Sequence, residues 1–183
     1  KIIPMGAGLG GGSSDAAFMV KLLNDTFQLN MENKQMLEIT AKIGSDCSFF
    51  IENKAMFASG KGDIFKNVDL NLSNYYLVIV KPSVNISTQV AYSLIKPKKG
   101  SYNLENIDVN DINNWKNYII NDFEEPIFLK FSEIKNIKEK LYDVGAVYAS
   151  MSGSGSAVYG IFNDYVNTLN LFDGCFVWQG KLN

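Results

Sequence analysis

Pro4-Met5-Gly6-Ala7-Gly8-Leu9-Gly10-Gly11-Gly12-Ser13-Ser14-Asp15-Ala16-Ala17 places five glycines within seven positions, ahead of two serines, an aspartate and an apolar run. Glycine loses more conformational freedom on folding than any other residue, so five together imply bare backbone in close approach to something else. Ser13, Ser14 or Asp15 is placed to cap a helix from about Ser14 to Phe27. Ala17, Val20, Leu23 and either Leu22 or Phe27 would form its apolar stripe. A glycine loop opening a helix turns unpaired N–H groups and the positive end of the helix dipole towards one point. That is an anion site, and a phosphate chain is its natural occupant. A Walker A loop is excluded, because Gly12 runs into Ser13 with no lysine. Gly6-Ala7-Gly8-Leu9-Gly10-Gly11 fits the dinucleotide pattern G-x-G-x-x-G, but Asp25 to Met36 reads as helix and turn where that fold needs a strand ending in an acid. A flexible linker is the bland alternative, and linkers rarely run straight into an amphipathic helix.

The 183 residues suffice for one large or two small domains, and 46% hydrophobic with 13% aromatic content suits a packed interior. A net charge of −2 gives no global attraction for nucleic acid or membrane surfaces. The chain has no histidine, and every basic residue is lysine. This excludes histidine-based triads, histidine-ligated metals and an arginine finger from within these residues, so phosphate must be held by backbone N–H groups and lysine. Cys47 and Cys175 form no C-x-x-C motif, which fits a reduced, cytoplasmic setting. No apolar run reaches membrane-spanning length.

Further along, Lys1 to Ile3 is expected to end a strand, and a second helix is expected over Glu32 to Ile43, with Met36, Leu37, Thr40 and Ile43 on one face and Gly44 as its stop. Ala55–Ser59 and Asp63–Val68 read as strands about the turn Gly60-Lys61-Gly62, where Lys61 is an exposed tip. Asn71 to Asn74 marks a domain boundary. Tyr75 to Val80 is apolar almost throughout, hence a central strand stopped by Pro82. A short helix is expected over Thr88–Leu94, then a polar surface loop over Lys96–Asn114 whose lysines are solvated. Helices are expected at Asn113–Asn121, Glu124–Phe131, Ser132–Asp143 and Asp164–Leu171, with strands at Val147–Met151, Ala157–Phe162 and Phe176–Gln179.

Three later phrases offer chemistry. Asp46, in Gly44-Ser45-Asp46-Cys47-Ser48-Phe49-Phe50-Ile51, either orients and deprotonates a substrate hydroxyl or merely caps a turn before Phe49. Thr88 and Tyr92 share a helix face; a hydroxyl beside a ring suits a nucleobase, and ordinary core is the other reading for Tyr92. Ser152-Gly153-Ser154-Gly155-Ser156 is either a plain hairpin turn or a loop whose N–H groups meet substrate phosphates.

These phrases, in this order, resemble the GHMP small-molecule kinases. The first stretch is similar to that family's ATP loop, which implies ATP binding by Pro4, Gly6, Gly8, Leu9, Gly10, Gly11, Gly12, Ser13 and Ser14, with Ser14 a ligand to Mg²⁺. Asp46 stands at the family's catalytic aspartate, although Ser48 replaces the usual proline. Thr88 and Tyr92 match the segment that encloses a cytosine, with Gln89 in place of a proline, and Gly153, Ser154 and Gly155 match the third glycine motif. The resemblance implies an α+β, two-domain GHMP kinase fold. Residues 1–72 would belong to an incomplete ATP-binding domain (ribosomal protein S5 domain 2-like). Residues 73–183 would form a ferredoxin-like α/β sandwich, with the active site between the domains. Gly10 to Ala17 looks most like the subgroup that phosphorylates the 2-hydroxyl of a cytidine diphosphate-linked methylerythritol, a small-molecule acceptor of the non-mevalonate isoprenoid route. Other GHMP kinases acting on homoserine or mevalonate, and a non-catalytic nucleotide-binding module, stand as alternatives. The chain starts without methionine, so an N-terminal part carrying a family lysine and asparagine is expected to be missing and these residues alone to be inactive.

Overall fold

Local signals in the chain resolve into six helices and six strands among the residues described by the computed structural model, 2–96 and 102–183. They divide into two units, one of Gly10–Leu70 with Leu104–Ile107, the other of Lys1–Leu9, Asn71–Asn103 and Asp108–Asn183.

The first of these contains α1 (Gly11–Thr26), α2 (Asn33–Ile43), α3 (Phe49–Glu52) and an antiparallel hairpin of β1 (Met56–Ser59) and β2 (Ile64–Asn67). Helix α1 starts three residues earlier than expected. Gly10 is its N-cap, at φ 64° and with no side-chain capping bond, so Ser13 and Ser14 lie in the first turn and Asp15 just beyond it, none of them at the cap. A left-handed cap is open to glycine at little cost, and it starts the helix before any capping side chain is reached. Ala17 is fully buried against Met36 and Ile51, with Val20, Leu37 and Phe50 beside them. The expected stripe on α1 splits: Leu22, Leu23 and Phe27 are 57%, 42% and 66% exposed. Helix α2 follows the expected face at Met36 and Thr40 but leaves Ile43 exposed. Its start is stabilised by the Glu32 N–H donating to Gln35 Oε1 at 2.9 Å. Gly44 ends it in extended backbone.

The other unit is built on a four-stranded antiparallel sheet in the order β4-β5-β3-β6, where β3 is Tyr76–Lys81, β4 Tyr148–Met151, β5 Val158–Phe162 and β6 Phe176–Lys181. The apolar run of β3 makes it an inner strand, as expected, with β5 and β6 as its neighbours. Val78 and Val80 face a core of Ile127, Ile134, Leu141, Ala149, Met151, Val158 and Phe162. Helices α4 (Thr88–Leu94), α5 (Glu124–Lys130) and α6 (Ser132–Asp143) form the crossover from β3 to β4. Strand, helical crossover, hairpin and returning edge strand give the ferredoxin-like order.

Four expectations fail here. Residues 2 and 3 are not strand, and Ile2 is 80% exposed; Lys1 lies outside the described residues. The stretch 96–114 is not all loop, and no α-helix forms over Asn113–Asn121. Residues 104–106 and 109–117 are 3₁₀ turns, Ile112 and Trp115 are buried, and the Trp115 ring N–H donates to the Asp108 carbonyl at 2.9 Å. Two buried apolar side chains anchor a segment whose average composition is polar. Residues 97–101, with Lys98 and Lys99, lie outside the described residues. Asp164–Leu171 forms turns instead of a helix. Asn167 accepts from the Leu169 N–H (3.0 Å), Asn170 takes φ 59°, and Thr168 donates to Gln179 Oε1 (2.6 Å). The asparagine bond is local and competes with helix, while the threonine bond ties the segment to β6.

Candidate functional site

The start of α1 and the Asp46 turn lie in one unit. A side chain at Gly10 would bring its first carbon within 2.9 Å of the Phe50 ring, so the glycine lets the helix start sit directly on α3. Without a side-chain cap, the first-turn N–H groups of α1 are open to an external acceptor. Ser14 donates its own N–H to the Gly10 carbonyl (2.8 Å), which leaves its hydroxyl in the first turn. Asp46 is exposed, in the turn between α2 and α3. It does not cap α3: Ser48 is the N-cap and makes no side-chain capping bond, while Asp46 Oδ1 accepts from the Ser45 hydroxyl at 3.3 Å. The turn is fixed by its buried members. The Ser48 hydroxyl donates to the Leu37 carbonyl of α2 (3.2 Å) and lies 3.3 Å from the Thr40 hydroxyl, and Cys47 is 3% exposed. A serine where the resembled kinases carry proline thus bonds the turn to α2.

The first half of the glycine stretch and the second glycine turn meet within the other unit. The Ala157 N–H donates to the Ala7 carbonyl (3.0 Å), and the Ser152 hydroxyl donates to the Gly8 carbonyl (2.7 Å). Gly8 has φ +75°, and a side chain there would place its first carbon 1.9 Å from the Ser152 carbonyl oxygen. No larger residue fits without moving backbone. Pro4, Gly6 and Leu9 flank this contact, with Pro4 and Leu9 half-buried. The turn is pinned internally by the Gly155 N–H on the Ser152 carbonyl (3.0 Å) and by the Ser156 hydroxyl on the Val84 carbonyl (2.6 Å). It is therefore more than a plain hairpin connection. In the same unit Thr88 opens α4, whose N-cap Ser87 accepts from the Val90 N–H. Tyr92 is 63% exposed, with its ring edge-on to Phe123 at 5.0 Å, so the core reading of Tyr92 fails.

Comparison with known proteins now bears on this geometry. The GHMP kinases N terminal domain matches residues 1–54 and the GHMP kinases C terminal domain residues 103–167. A 4-diphosphocytidyl-2-C-methyl-D-erythritol kinase of Bacteroides fragilis is 48% identical over 183 residues, which is all of this chain and 67% of that protein. The chain belongs to the GHMP kinases. Within them it falls in the family of that relative. A crystal structure of a 4-(cytidine 5'-diphospho)-2C-methyl-D-erythritol kinase superposes on this GHMP kinase with a TM-score of 0.72 at 29% identity, over 88% of this chain and 59% of that one. A homoserine kinase from Cytophaga hutchinsonii, at TM-score 0.66 and 19% identity over 100% of this chain and 68% of that one, shares the fold.

Sequence reading missed two groups of this GHMP kinase. Ser152, at the start of the second glycine turn, bonds to Gly8 144 positions away. Asn121, in a stretch read as the end of a helix, donates to the carbonyls of both Met151 and Gly153 at 2.8 Å. Nothing local to either residue signals these bonds. Among the described residues no group of three acidic, cysteine or histidine side chains is placed to hold a metal, and no helix is long and apolar enough to cross a membrane.

Proposed function

We propose that the full-length gene product carries out ATP-dependent phosphorylation of the 2-hydroxyl of 4-diphosphocytidyl-2-C-methyl-D-erythritol, a cytoplasmic step towards isoprenoid precursors, with residues 1–72 part of its ATP-binding domain, residues 73–183 its C-terminal domain, and these residues alone inactive. The observation that carries it is a helix that begins on bare glycine with an uncapped first turn, in a chain 48% identical to such a kinase. Gly10, Gly11, Gly12 and Ser13 present the free N–H groups of the helix start to the ATP phosphates and Ser14 its hydroxyl, and Pro4, Gly6, Gly8 and Leu9 shape the approach. Asp46 orients the acceptor hydroxyl and takes its proton as that oxygen bonds to the γ-phosphorus. The bond between this phosphorus and the β,γ-bridging oxygen breaks, and ADP leaves. Thr88 and Tyr92 receive the cytosine, and Gly153, Ser154 and Gly155 offer backbone N–H groups to the acceptor's phosphates. Of this chain's side chains the Ser14 hydroxyl would hold Mg²⁺ alongside the nucleotide, and the metal would supply positive charge against that developing on the transferred group.

The test is phosphoryl transfer by the full-length gene product from labelled ATP, with the cytidine-linked acceptor, homoserine and mevalonate offered in parallel. Product from the first alone is expected. Transfer to homoserine or mevalonate would reassign the acceptor, and ATP binding without transfer to any of them would leave a nucleotide-binding module.

A further inference from the structure

The second glycine turn leaves an edge strand. In the order β4-β5-β3-β6, β4 pairs among the described residues only with β5, so alternate backbone groups of β4 point away from the sheet. At the last residue of β4 both outward groups are taken by side chains. The Met151 N–H donates to Glu124 Oε1 at 2.8 Å, and its carbonyl accepts from Asn121 Nδ2 at 2.8 Å. The same amide also donates to the Gly153 carbonyl at 2.8 Å. One side-chain nitrogen therefore spans the entry to the turn and its second residue.

Asn121 is itself held from the other side. Its Oδ1 accepts from the Phe123 N–H at 3.0 Å, which fixes the amide at the approach to α5. Glu124 is 6% exposed, and its Oε2 pairs with Lys138 Nζ of α6 at 2.6 Å. Its Oε1 also accepts from the Ser150 hydroxyl at 3.2 Å. Glu124 and Ser150 are buried with their polar atoms partnered, and Asn121, half-buried, bonds at the edge of this set, which holds it in place. The consequence for the turn is directional. With the Gly153 carbonyl drawn onto Asn121, the N–H groups of Gly153 and Ser154 have no acceptor among the described residues.

We propose that Asn121, backed by Glu124, is a positioning residue that sets the backbone of the second glycine turn for the phosphates of the acceptor. It touches no reacting atom; it acts through Met151 and Gly153. The proposal rests on the reading that Gly153 to Gly155 face the acceptor.

Asn121→Asp in the full-length gene product isolates the effect. The aspartate keeps an oxygen for the Phe123 N–H, so the start of α5 is preserved, but it sets an acceptor against two carbonyls. Amide hydrogen exchange over residues 151–157 should accelerate by about tenfold or more. Acceptor kcat/KM should fall on the order of 10²-fold, since misplacement of about 1 Å has that effect. The KM for ATP should stay within about twofold. Asn121→Ser, which also keeps a short acceptor and cannot reach both carbonyls, serves if the aspartate variant does not fold. Unchanged exchange and kinetics would show that Asn121 does not hold the turn, and would overturn the proposal. Faster exchange with unchanged kinetics would overturn it differently, by showing that the acceptor does not use the turn. A joint loss of thermal stability and ATP affinity would reduce Asn121 to a structural role.

Discussion

Replacing Gly8 by alanine should destabilise the unit that contains the sheet, and the structure gives the scale. Gly8 is at φ +75°, where an L side chain is strained. The added carbon would lie 1.9 Å from the Ser152 carbonyl oxygen, 3.0 Å from its carbon and 3.1 Å from the Gly155 nitrogen. All three are backbone atoms, so no rotamer change relieves the overlap. Left-handed strain of roughly 1–2 kcal/mol and overpacking of about 1–3 kcal/mol give roughly 2–5 kcal/mol. If the chain escapes by lifting residues 4–9 away instead, it forfeits the Ser152–Gly8 and Ala157–Ala7 bonds, at about 0.5–1.5 kcal/mol each. Urea unfolding of Gly8→Ala, followed by tyrosine and tryptophan fluorescence, measures the loss. Gly12→Ala is the control, because a side chain at Gly12 meets nothing within 4 Å and the position is helical. The control should equal the parent or exceed it by up to ~1 kcal/mol. A Gly8→Ala protein within about 0.5 kcal/mol of the parent would refute the close-approach argument, because that is the range of an ordinary surface substitution.

Asp46→Asn should retain ATP affinity in a binding titration while turnover falls by ~10²–10⁴-fold; turnover within a few-fold of the parent would move the general-base role elsewhere. Tyr92→Ala should raise the acceptor KM about tenfold or more with ATP KM unchanged, given stacking of about 1–3 kcal/mol per base, and Tyr92→Phe should behave as the parent. Ser48→Ala should cost about 1 kcal/mol in thermal unfolding, because it removes the bond from the Asp46 turn to the Leu37 carbonyl. An unaltered melting curve would show that the turn does not depend on that bond.

Periodicity and punctuation made much of this protein readable in advance. Helices α2, α4 and α6 and strands β3 to β5 sit within a residue or two of where the pattern places them, because apolar spacing and stops such as Pro82 and Gly145 act over a few neighbouring residues. The failures have physical causes of the same kind. The helix expected over Asp164–Leu171 loses to side-chain bonds from Asn167 and Thr168. The loop expected over 96–114 and the helix expected over Asn113–Asn121 give way to a 3₁₀ stretch over Val109–Asn117, anchored by the buried side chains of Ile112 and Trp115. The apolar residues of α1 could be counted, yet which of them are buried depends on what packs there, and Ala17 rather than Leu22 or Phe27 faces Met36 and Ile51.

The same division runs through the candidate site. By itself the amino-acid sequence determined which groups are on offer to a phosphate, backbone N–H groups at a glycine-rich helix start and lysine, since it supplies five clustered glycines, no arginine and no histidine. It also supplied the family, through motifs whose order survives without any contact being known. Only the tertiary structure decided that Gly10 rather than a serine caps α1, that Gly8 is required by the Ser152 carbonyl, and that Asn121 grips Met151 and Gly153. Helix and turn propensities arise from interactions within a few residues of one chain segment. A bond between side chain and backbone across 32 or 144 positions leaves no trace in either segment, and exists only once the sheet has brought them together.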